Sequence, residues 1–254
     1  MAFTNSSLVQ HTKISPNRTV GRKNNIDTIT IHCVVGQCSI ETLGNLFADP
    51  DVEASSNYGV GYDGKIGMYV EEKDRSWCTS SASNDHRAIT IEVASDTYHP
   101  YAVNSKAYNA LIELVADICK RNNIKELKWK ADKSLIGQPD KQNMTVHRWF
   151  DNKACPGDYL YNRMGDIAAK VNTKLNVVAK PEVKPVDKPE VKPVDKPEVK
   201  PTNKTTIVKG DHVKIADDAV YSNGVDVPNW VVSKIWVVDR IVGDIVIVNK
   251  DANN

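Results

Sequence analysis

The chain has 254 residues, of which 41% are hydrophobic, and its 33 basic and 32 acidic side chains leave a net charge of +1. This length suits one large domain or two smaller ones, and the hydrophobic share is enough to build a buried core. The balanced charge argues against a nucleic-acid-binding protein, because such proteins need a basic face that displaces counterions from phosphates.

The sequence shows no signal for a membrane or for secretion. It has no run of 18 apolar residues, so we expect no membrane-spanning helix. The first residues, MAFTNSSLVQHTKIS, lack a basic start followed by an apolar stretch, so we expect synthesis in a reducing cytoplasm without a signal peptide. The five cysteines lack the spacing of a disulfide framework, and we expect most of them to be small buried hydrophobes.

Residues 1–179 alternate between strand and helix patterns. In chain order, the predicted elements are a buried strand over 27–35, a helix over 39–47 capped by Ser39, a hairpin over 57–70 with its turn at Asp63-Gly64, a strand over 88–94, and helices over 105–124 and 159–175. The strand over 88–94 has few polar residues, so we expect it in the centre of a sheet. This order predicts an α/β fold with a mixed central β-sheet flanked by helices.

A proline repeat separates this body from the rest of the chain. KPEVKPVD begins at Lys180 and again at Lys188, and KPEVKPTN begins at Lys196. Since proline removes backbone donors and fixes φ, we expect residues 180–205 to be an extended, semi-rigid linker. The sequence therefore predicts three parts, which are a first domain over 1–179, the linker over 180–205 and a second domain over 206–254.

The second domain is predicted to be all-β. Its short β-rich runs are separated by turn signals at Asn223-Gly224 and Gly243-Asp244, a pattern typical of a small SH3-like barrel. The sequence ends at NKDANN without an evident last strand. Because domains of this size are marginal, we expect either a truncated chain or a module of borderline stability.

Three residues could bind a metal ion. His32 lies at the end of the strand pattern TITIHCV, and His147 opens HRWFDNKACPG, which also contains Cys155. A side chain at the end of a strand can project from the edge of a sheet into a cleft. Two imidazoles and a thiolate suit zinc, and three protein ligands would leave a position for water. Spacing alone does not separate this hypothesis from ordinary packing, since many chains offer such a triple.

Three further residues could assist chemistry. Lys153 could stabilise a developing oxyanion, or it could be a solvated surface lysine. Glu92 lies inside the apolar strand AITIEVA, so its carboxylate must be paired, ligated or at the mouth of a cleft, as a base or as a salt-bridge partner. Tyr58 could donate its hydroxyl to an oxyanion, or it could be one more aromatic residue of the hairpin.

Taken together, these motifs resemble a known family over roughly residues 20–175. TITIHCV and MTVHRWFDNKACPGDYLY are similar to the first and last signatures of zinc-dependent N-acetylmuramoyl-L-alanine amidases of type 2, which share their fold with peptidoglycan recognition proteins. SSNYGVGYDGKI resembles the family segment with the active-site tyrosine, and AITIEVA resembles a strand that carries a catalytic glutamate in some members. The segment RSWCTSS departs from the family, because Cys78 stands where members often have histidine, and we assign it no role.

The resemblance implies hydrolysis of the amide between N-acetylmuramic acid and the L-alanine of the stem peptide, and hence lysis of bacterial cells. It implies Zn²⁺ as the cofactor and the following site residues: zinc ligands His32, His147 and Cys155, oxyanion donors Tyr58 and Lys153, and Glu92 as the group that orients or deprotonates the water. Whether Tyr58 or Glu92 assists the water stays open. The implied partner is peptidoglycan, with no nucleic acid and no membrane, and we expect a monomer.

The linker and second domain resemble those of clostridial-type phage endolysins and autolysins, in which an SH3-like module attaches the enzyme to the wall. Tyr221, Trp230 and Trp236 would either stack on sugar or peptide or pack in the core of the barrel. The missing signal peptide favours an endolysin that acts on the wall after release, and a host autolysin is the alternative.

The same residues leave two other functions open beside the zinc amidase. The first is a non-catalytic peptidoglycan-binding protein of the same fold, whose members usually lack the zinc cysteine. The second is a cysteine peptidase with Cys155 as nucleophile and His147 as base. Because Cys155, His32 and His147 are all present, the sequence favours the enzyme over the non-catalytic peptidoglycan-binding protein.

Overall fold

A computed structural model of the chain describes residues 3–175 and, nearer the C-terminus, residues 207, 209–215, 227, 231, 234–242 and 245–251. The chain divides into two units, Met1–Ala179 and Lys180–Asn254. The proposed linker lies outside the described residues. Whether the two units are the predicted catalytic and wall-binding domains stays a prediction.

The described part of the first unit is built around a mixed β-sheet. Its strands are β1 (His11–Thr12), β2 (Arg18–Thr19), β3 (Thr28–Cys33), β4 (Tyr58–Val60), β5 (Ile66–Met68), β6 (Arg75–Ser76), β7 (Ala88–Val93) and β8 (Met144–Val146). Six of them form one sheet in the order β1-β5-β4-β7-β3-β8, and β2 pairs with β6 separately. Strands β4, β7, β3 and β8 run parallel, whereas β4 and β5 form an antiparallel hairpin.

Helices flank this sheet. They are α1 (Ile40–Ala48), α2 (Ala82–Asp85), α3 (Ser105–Arg121), α4 (Gly157–Tyr161) and α5 (Met164–Lys174), with 3-10 turns at Pro50–Val52, Lys133–Leu135 and His147–Trp149. The apolar stripe of α3, including Leu111, Leu114 and Ile118, is buried against the sheet and α5. The predicted α/β fold with a mixed central sheet flanked by helices is therefore confirmed, and the structure shows that this sheet is mostly parallel.

Local sequence signals placed several elements correctly. Ser39 caps α1, because its hydroxyl accepts a hydrogen bond from the Thr42 backbone N–H at 3.2 Å. Gly64 has a φ of 84° in the predicted hairpin turn. The single helix predicted over 159–175 is wrong, since the chain there forms α4 and α5 with a break at Asn162 and Arg163.

The two faces of the central strands differ in chemistry. In the parallel register of β3 and β7, Ile31 lies opposite Ile91 and His32 opposite Glu92. Since side chains alternate along a strand, the isoleucines point to one face and His32 and Glu92 to the other. The isoleucines are fully buried in the core that includes α3. The opposite face of these strands therefore carries the polar groups.

The described part of the second unit contains an antiparallel sheet. Strands β9 (His212–Lys214), β10 (Ile235–Val242) and β11 (Ile245–Asp251) are arranged in the order β11-β10-β9. Trp236 packs with Val227 and Val231, and its indole N–H donates to the Val231 carbonyl at 2.8 Å. This position is consistent with a packing role for Trp236. Tyr221 and Trp230 lie outside the described residues, and the SH3-like barrel stays a prediction.

None of the helices in the described ranges combines the length and apolar character that crossing a membrane requires.

Candidate active site

The carboxyl ends of three parallel strands bring three of the predicted site residues, His32, Glu92 and His147, to one edge of the sheet. His32 and Glu92 are register partners in the adjacent strands β3 and β7. On the other side of β3, Ile31 pairs with Val146, so His147 follows the end of β8 at the level of His32. Ligands in open α/β sheets collect at this edge, where loops can add further side chains.

Cys155 completes this group from a loop. Its Sγ lies 3.3 Å from Nδ1 of His32, and the ring centroids of His32 and His147 are 5.1 Å apart. One ligand atom from each of His32, His147 and Cys155 lies within 4.8 Å of the others. These three side chains are distant in sequence, and the fold brings them together as a donor set that could hold a metal ion.

The donor set fits a soft divalent cation. His32 is fully buried, and among the described residues Nε2 of both His32 and His147 has no hydrogen-bond partner. Burial and the neighbouring His147 lower the pKa of His32 to about 3, and burial also lowers the pKa of His147. Both imidazoles are therefore neutral near pH 7 and available as ligands. Orphaned nitrogens and a nearby sulfur are the donors that zinc prefers.

The Cys155 thiol is poorly ionised without a cation. A hydrogen bond with the Cys33 side chain, burial and the nearby Glu92 carboxylate together raise its pKa well above the ordinary value. A bound divalent cation would reverse this balance, because it stabilises the thiolate directly.

Glu92 lies beside the donor set with one oxygen free. Its Oε1 is 3.8 Å from Nδ1 of His32, and its side chain is 16% exposed. Within the described ranges, Oε2 has no hydrogen-bond partner. Burial, with a smaller contribution from Cys33, raises the pKa of Glu92 to about 8. A carboxyl group with this pKa can take up and return a proton near neutral pH.

Lys153 lies on the exposed segment between His147 and Cys155. Its positive charge is close enough to contribute to the lowered pKa of His147. The ammonium group is therefore an exposed cation at the edge of the donor set, where a developing negative charge would be stabilised.

The structure places Tyr58 away from the donor set. In the register of β4 and β7, Tyr58 lies opposite Ile91, whereas Gly59 lies opposite Glu92. The Tyr58 ring thus faces the apolar core and is fully buried. Its hydroxyl donates to Oε1 of Glu72 at 2.7 Å and accepts from the Ser6 backbone N–H at 2.9 Å. Strand alternation therefore puts Tyr58 on the face opposite to His32.

Cys78, to which the sequence motifs assign no role, also lies beside this site. One ligand atom from each of His32, Cys78 and Glu92 lies within 4.8 Å of the others. The Asp85 carboxylate fixes this loop by accepting hydrogen bonds from the backbone N–H groups of Cys78 and Thr79, each at 3.1 Å. The signal in the sequence was the segment RSWCTSS, in which Cys78 stands where members of the family often have histidine.

Comparison with known proteins gives a family and several similar folds. The family profile described as N-acetylmuramoyl-L-alanine amidase (Amidase_2) matches residues 22–158, more than half of the chain. None of the curated proteins matches the sequence.

Among solved structures, PlyL is 17% identical with a TM-score of 0.47, and the match covers 67% of this chain and 97% of that one. The catalytic domain of XlyA is 17% identical with a TM-score of 0.44, over 63% of this chain and 97% of that one. The N-acetylmuramoyl-L-alanine amidase LysC from Clostridium intestinale URNW is 16% identical with a TM-score of 0.41, over 58% and 86%. Because these scores lie below 0.5, the assignment depends on the family match, by which the chain belongs to the N-acetylmuramoyl-L-alanine amidase family.

Proposed function

We propose that the chain is a zinc-dependent amidase that hydrolyses the bond between N-acetylmuramic acid and the L-alanine of the peptidoglycan stem peptide. The observation that carries this proposal is the convergence of His32, His147 and Cys155 within 4.8 Å at the carboxyl edge of the sheet. Membership of the amidase family supplies the substrate class and the reaction.

His32, His147 and Cys155 would hold the metal. When bound there, zinc acts as a Lewis acid that polarises a carbonyl and lowers the pKa of water. The neutral state of both imidazoles favours this role, because a protonated ring offers no lone pair. The sulfur ligand favours zinc over a hard cation such as magnesium.

Glu92 would move the proton. Its unpartnered Oε2 accepts the proton of the attacking water and returns it to the leaving nitrogen of L-alanine. The raised pKa suits both steps, since the same carboxyl group must act first as a base and then as an acid. Because Tyr58 lies on the other face of the sheet, Glu92 is the residue that we assign to the water.

Lys153 would stabilise the oxyanion. As the carbonyl carbon becomes tetrahedral, negative charge collects on its oxygen, and a nearby ammonium group lowers the energy of that state. The exposed position of Lys153 leaves its charge accessible to a bound substrate. With Tyr58 removed from this role, Lys153 is the remaining candidate among the residues that the sequence singled out.

A cysteine peptidase is a weaker explanation of the same residues. Such an enzyme needs an ionised thiol, and the surroundings of Cys155 raise its pKa well above the ordinary value. A histidine base beside the thiol would also need to accept a proton, yet burial lowers the pKa of His147. These environments oppose a thiolate–imidazolium pair and favour metal ligation.

The remainder of the chain would attach the enzyme to its substrate. We propose that the proline repeat is a spacer and that residues 206–254 form an SH3-like wall-binding module, since a second weak contact keeps the enzyme on an insoluble polymer. In this proposal, release of the enzyme onto the wall leads to lysis of the cell, as expected for an endolysin.

Analysis of the products from purified cell wall tests the reaction. The proposal predicts new free amino groups on alanine without new reducing sugar ends, and loss of this activity when a chelator is present. New reducing ends would indicate a glycosidase and contradict the proposal. Cleavage within the stem peptide that is inhibited by thiol alkylation, but not by chelators, would indicate the cysteine peptidase.

A further inference from the structure

The loop that contains Cys155 is exposed to solvent in the residues just before the cysteine. Residues 151–154 are all exposed, whereas His32 is fully buried. A sulfur on such a segment needs a fixed anchor if it is to stay 3.3 Å from the imidazole of His32. The contacts of Arg148, the residue after His147, provide that anchor.

Arg148 binds both sides of Cys155. Its backbone N–H donates to the Cys155 carbonyl at 3.0 Å, and its NH2 group donates to the Ala154 carbonyl at 2.6 Å. The NH1 group donates to Oδ1 of Asp158 at 3.0 Å, and the guanidinium carbon lies 4.7 Å from the ring centre of Tyr161. One side chain therefore fastens the residue before the cysteine and the first turn of α4 after it.

The Asp158 carboxylate extends this anchor to a third segment. Its other oxygen, Oδ2, lies 2.9 Å from Nε2 of His99, which belongs to the loop after β7. That loop also approaches Gly157 closely, because a Cβ added to Gly157 would lie 2.9 Å from the Pro100 carbonyl oxygen. The turn that follows Cys155 is thus held between Arg148 and the loop that contains His99.

We infer that Arg148 is a positioning residue that holds the Cys155 sulfur within reach of the His32 and His147 donor atoms and thereby sets the affinity for the metal. This inference rests on the proposed function. Arginine suits the task because its planar fork donates to two acceptors at once, which the point charge of lysine cannot do. Partners of this kind behind a ligand typically change metal affinity by about 10- to 100-fold.

The test measures the zinc dissociation constant of the full chain by competition with a chromophoric chelator. Arg148→Ala is expected to bind zinc about 10- to 100-fold more weakly than the wild type, and Arg148→Lys about 10-fold more weakly. In the cobalt-substituted protein, the sulfur-to-cobalt absorption band is expected to weaken in Arg148→Ala. This band reports the Cys155–metal bond itself, which a merely structural role would leave unchanged.

Arg163→Ala is the matched control. The Arg163 guanidinium lies 3.9 Å from the ring centre of Tyr159 and donates to the Tyr159 carbonyl at 3.2 Å, so it makes the same kinds of contact outside the Cys155 loop. Its zinc affinity is expected to stay within about twofold of the wild type. Circular dichroism of each metal-free variant shows whether the variant folds. If Arg148→Ala does not fold, the zinc affinity of Arg148→Lys decides the test.

The outcomes separate this inference from the proposed function. A wild-type chain that binds no zinc would overturn the proposed function and the inference with it. A wild type that binds zinc tightly, together with Arg148 variants of equal affinity and an unchanged cobalt spectrum, would overturn the inference alone. Equal weakening in Arg163→Ala would also overturn it, because the effect would then not depend on the Cys155 loop.

Discussion

Replacing Tyr58 with phenylalanine distinguishes a catalytic tyrosine from a structural one. The hydroxyl is buried, donates to the Glu72 carboxylate and accepts from the Ser6 backbone N–H. A hydrogen bond to a charged group contributes about 1.5–3 kcal/mol and a neutral one about 1 kcal/mol. Glu72 keeps Arg121 and Asn122 as partners, so we expect Tyr58→Phe to lose about 2 kcal/mol, somewhat less than the sum of about 2.5–4 kcal/mol for the two bonds.

This loss is measured by thermal unfolding and by activity on purified wall. For a domain of this size, about 2 kcal/mol corresponds to a fall in Tm of about 4–8 °C, while kcat at a temperature well below Tm is expected to stay within about twofold. Tyr69→Phe is the matched control, since that buried hydroxyl donates only to the Ile40 carbonyl among its described contacts, and we expect about half the effect. A 10²- to 10³-fold loss of kcat at unchanged Tm, as for a lost oxyanion donor, would refute the assignment of Tyr58 to the opposite face.

Two further substitutions test the residues that remain assigned to the reaction. Glu92→Gln keeps the shape of the side chain but removes its basicity, so we expect kcat to fall by about 10²- to 10⁴-fold while the zinc content stays at the wild-type level; wild-type kcat would exclude Glu92 as the base. Lys153→Ala removes an exposed charge, so we expect a 10²- to 10³-fold loss of kcat with Tm within about 1 °C of the wild type. Lys133→Ala, at another exposed lysine, serves as its control, and an equal loss in both variants would contradict a specific role.

Much of the fold could be predicted because the signals are local. The hydroxyl of Ser39 identifies the start of α1, and Asp63-Gly64 identifies the hairpin turn, since each feature depends on neighbouring residues alone. The apolar run over 88–94 indicated a central strand, and β7 does lie between β4 and β3. The break between α4 and α5 has no such signal, because the two residues that form it are Asn162 and Arg163 and not the helix breakers proline or glycine.

The site was predictable in composition but not in orientation. The motifs around His32 and Cys155 singled out three residues that the fold brings together. The side of the sheet that Tyr58 faces depends on the register of β4 against β7, and a shift of one residue would have reversed it. The anchoring of Cys155 by Arg148 likewise depends on a turn whose closure the sequence does not encode locally.

The zinc content of the purified 254-residue protein is the most direct test of the proposed metal site. We expect close to one zinc ion per chain in the wild type, and loss of that ion in Cys155→Ser, because a hydroxyl is a much poorer zinc ligand than a thiolate. Cys38→Ser, at a half-buried cysteine outside the donor set, is expected to keep the ion. A wild type without zinc, or a Cys155→Ser variant that retains it, would overturn the proposed zinc site.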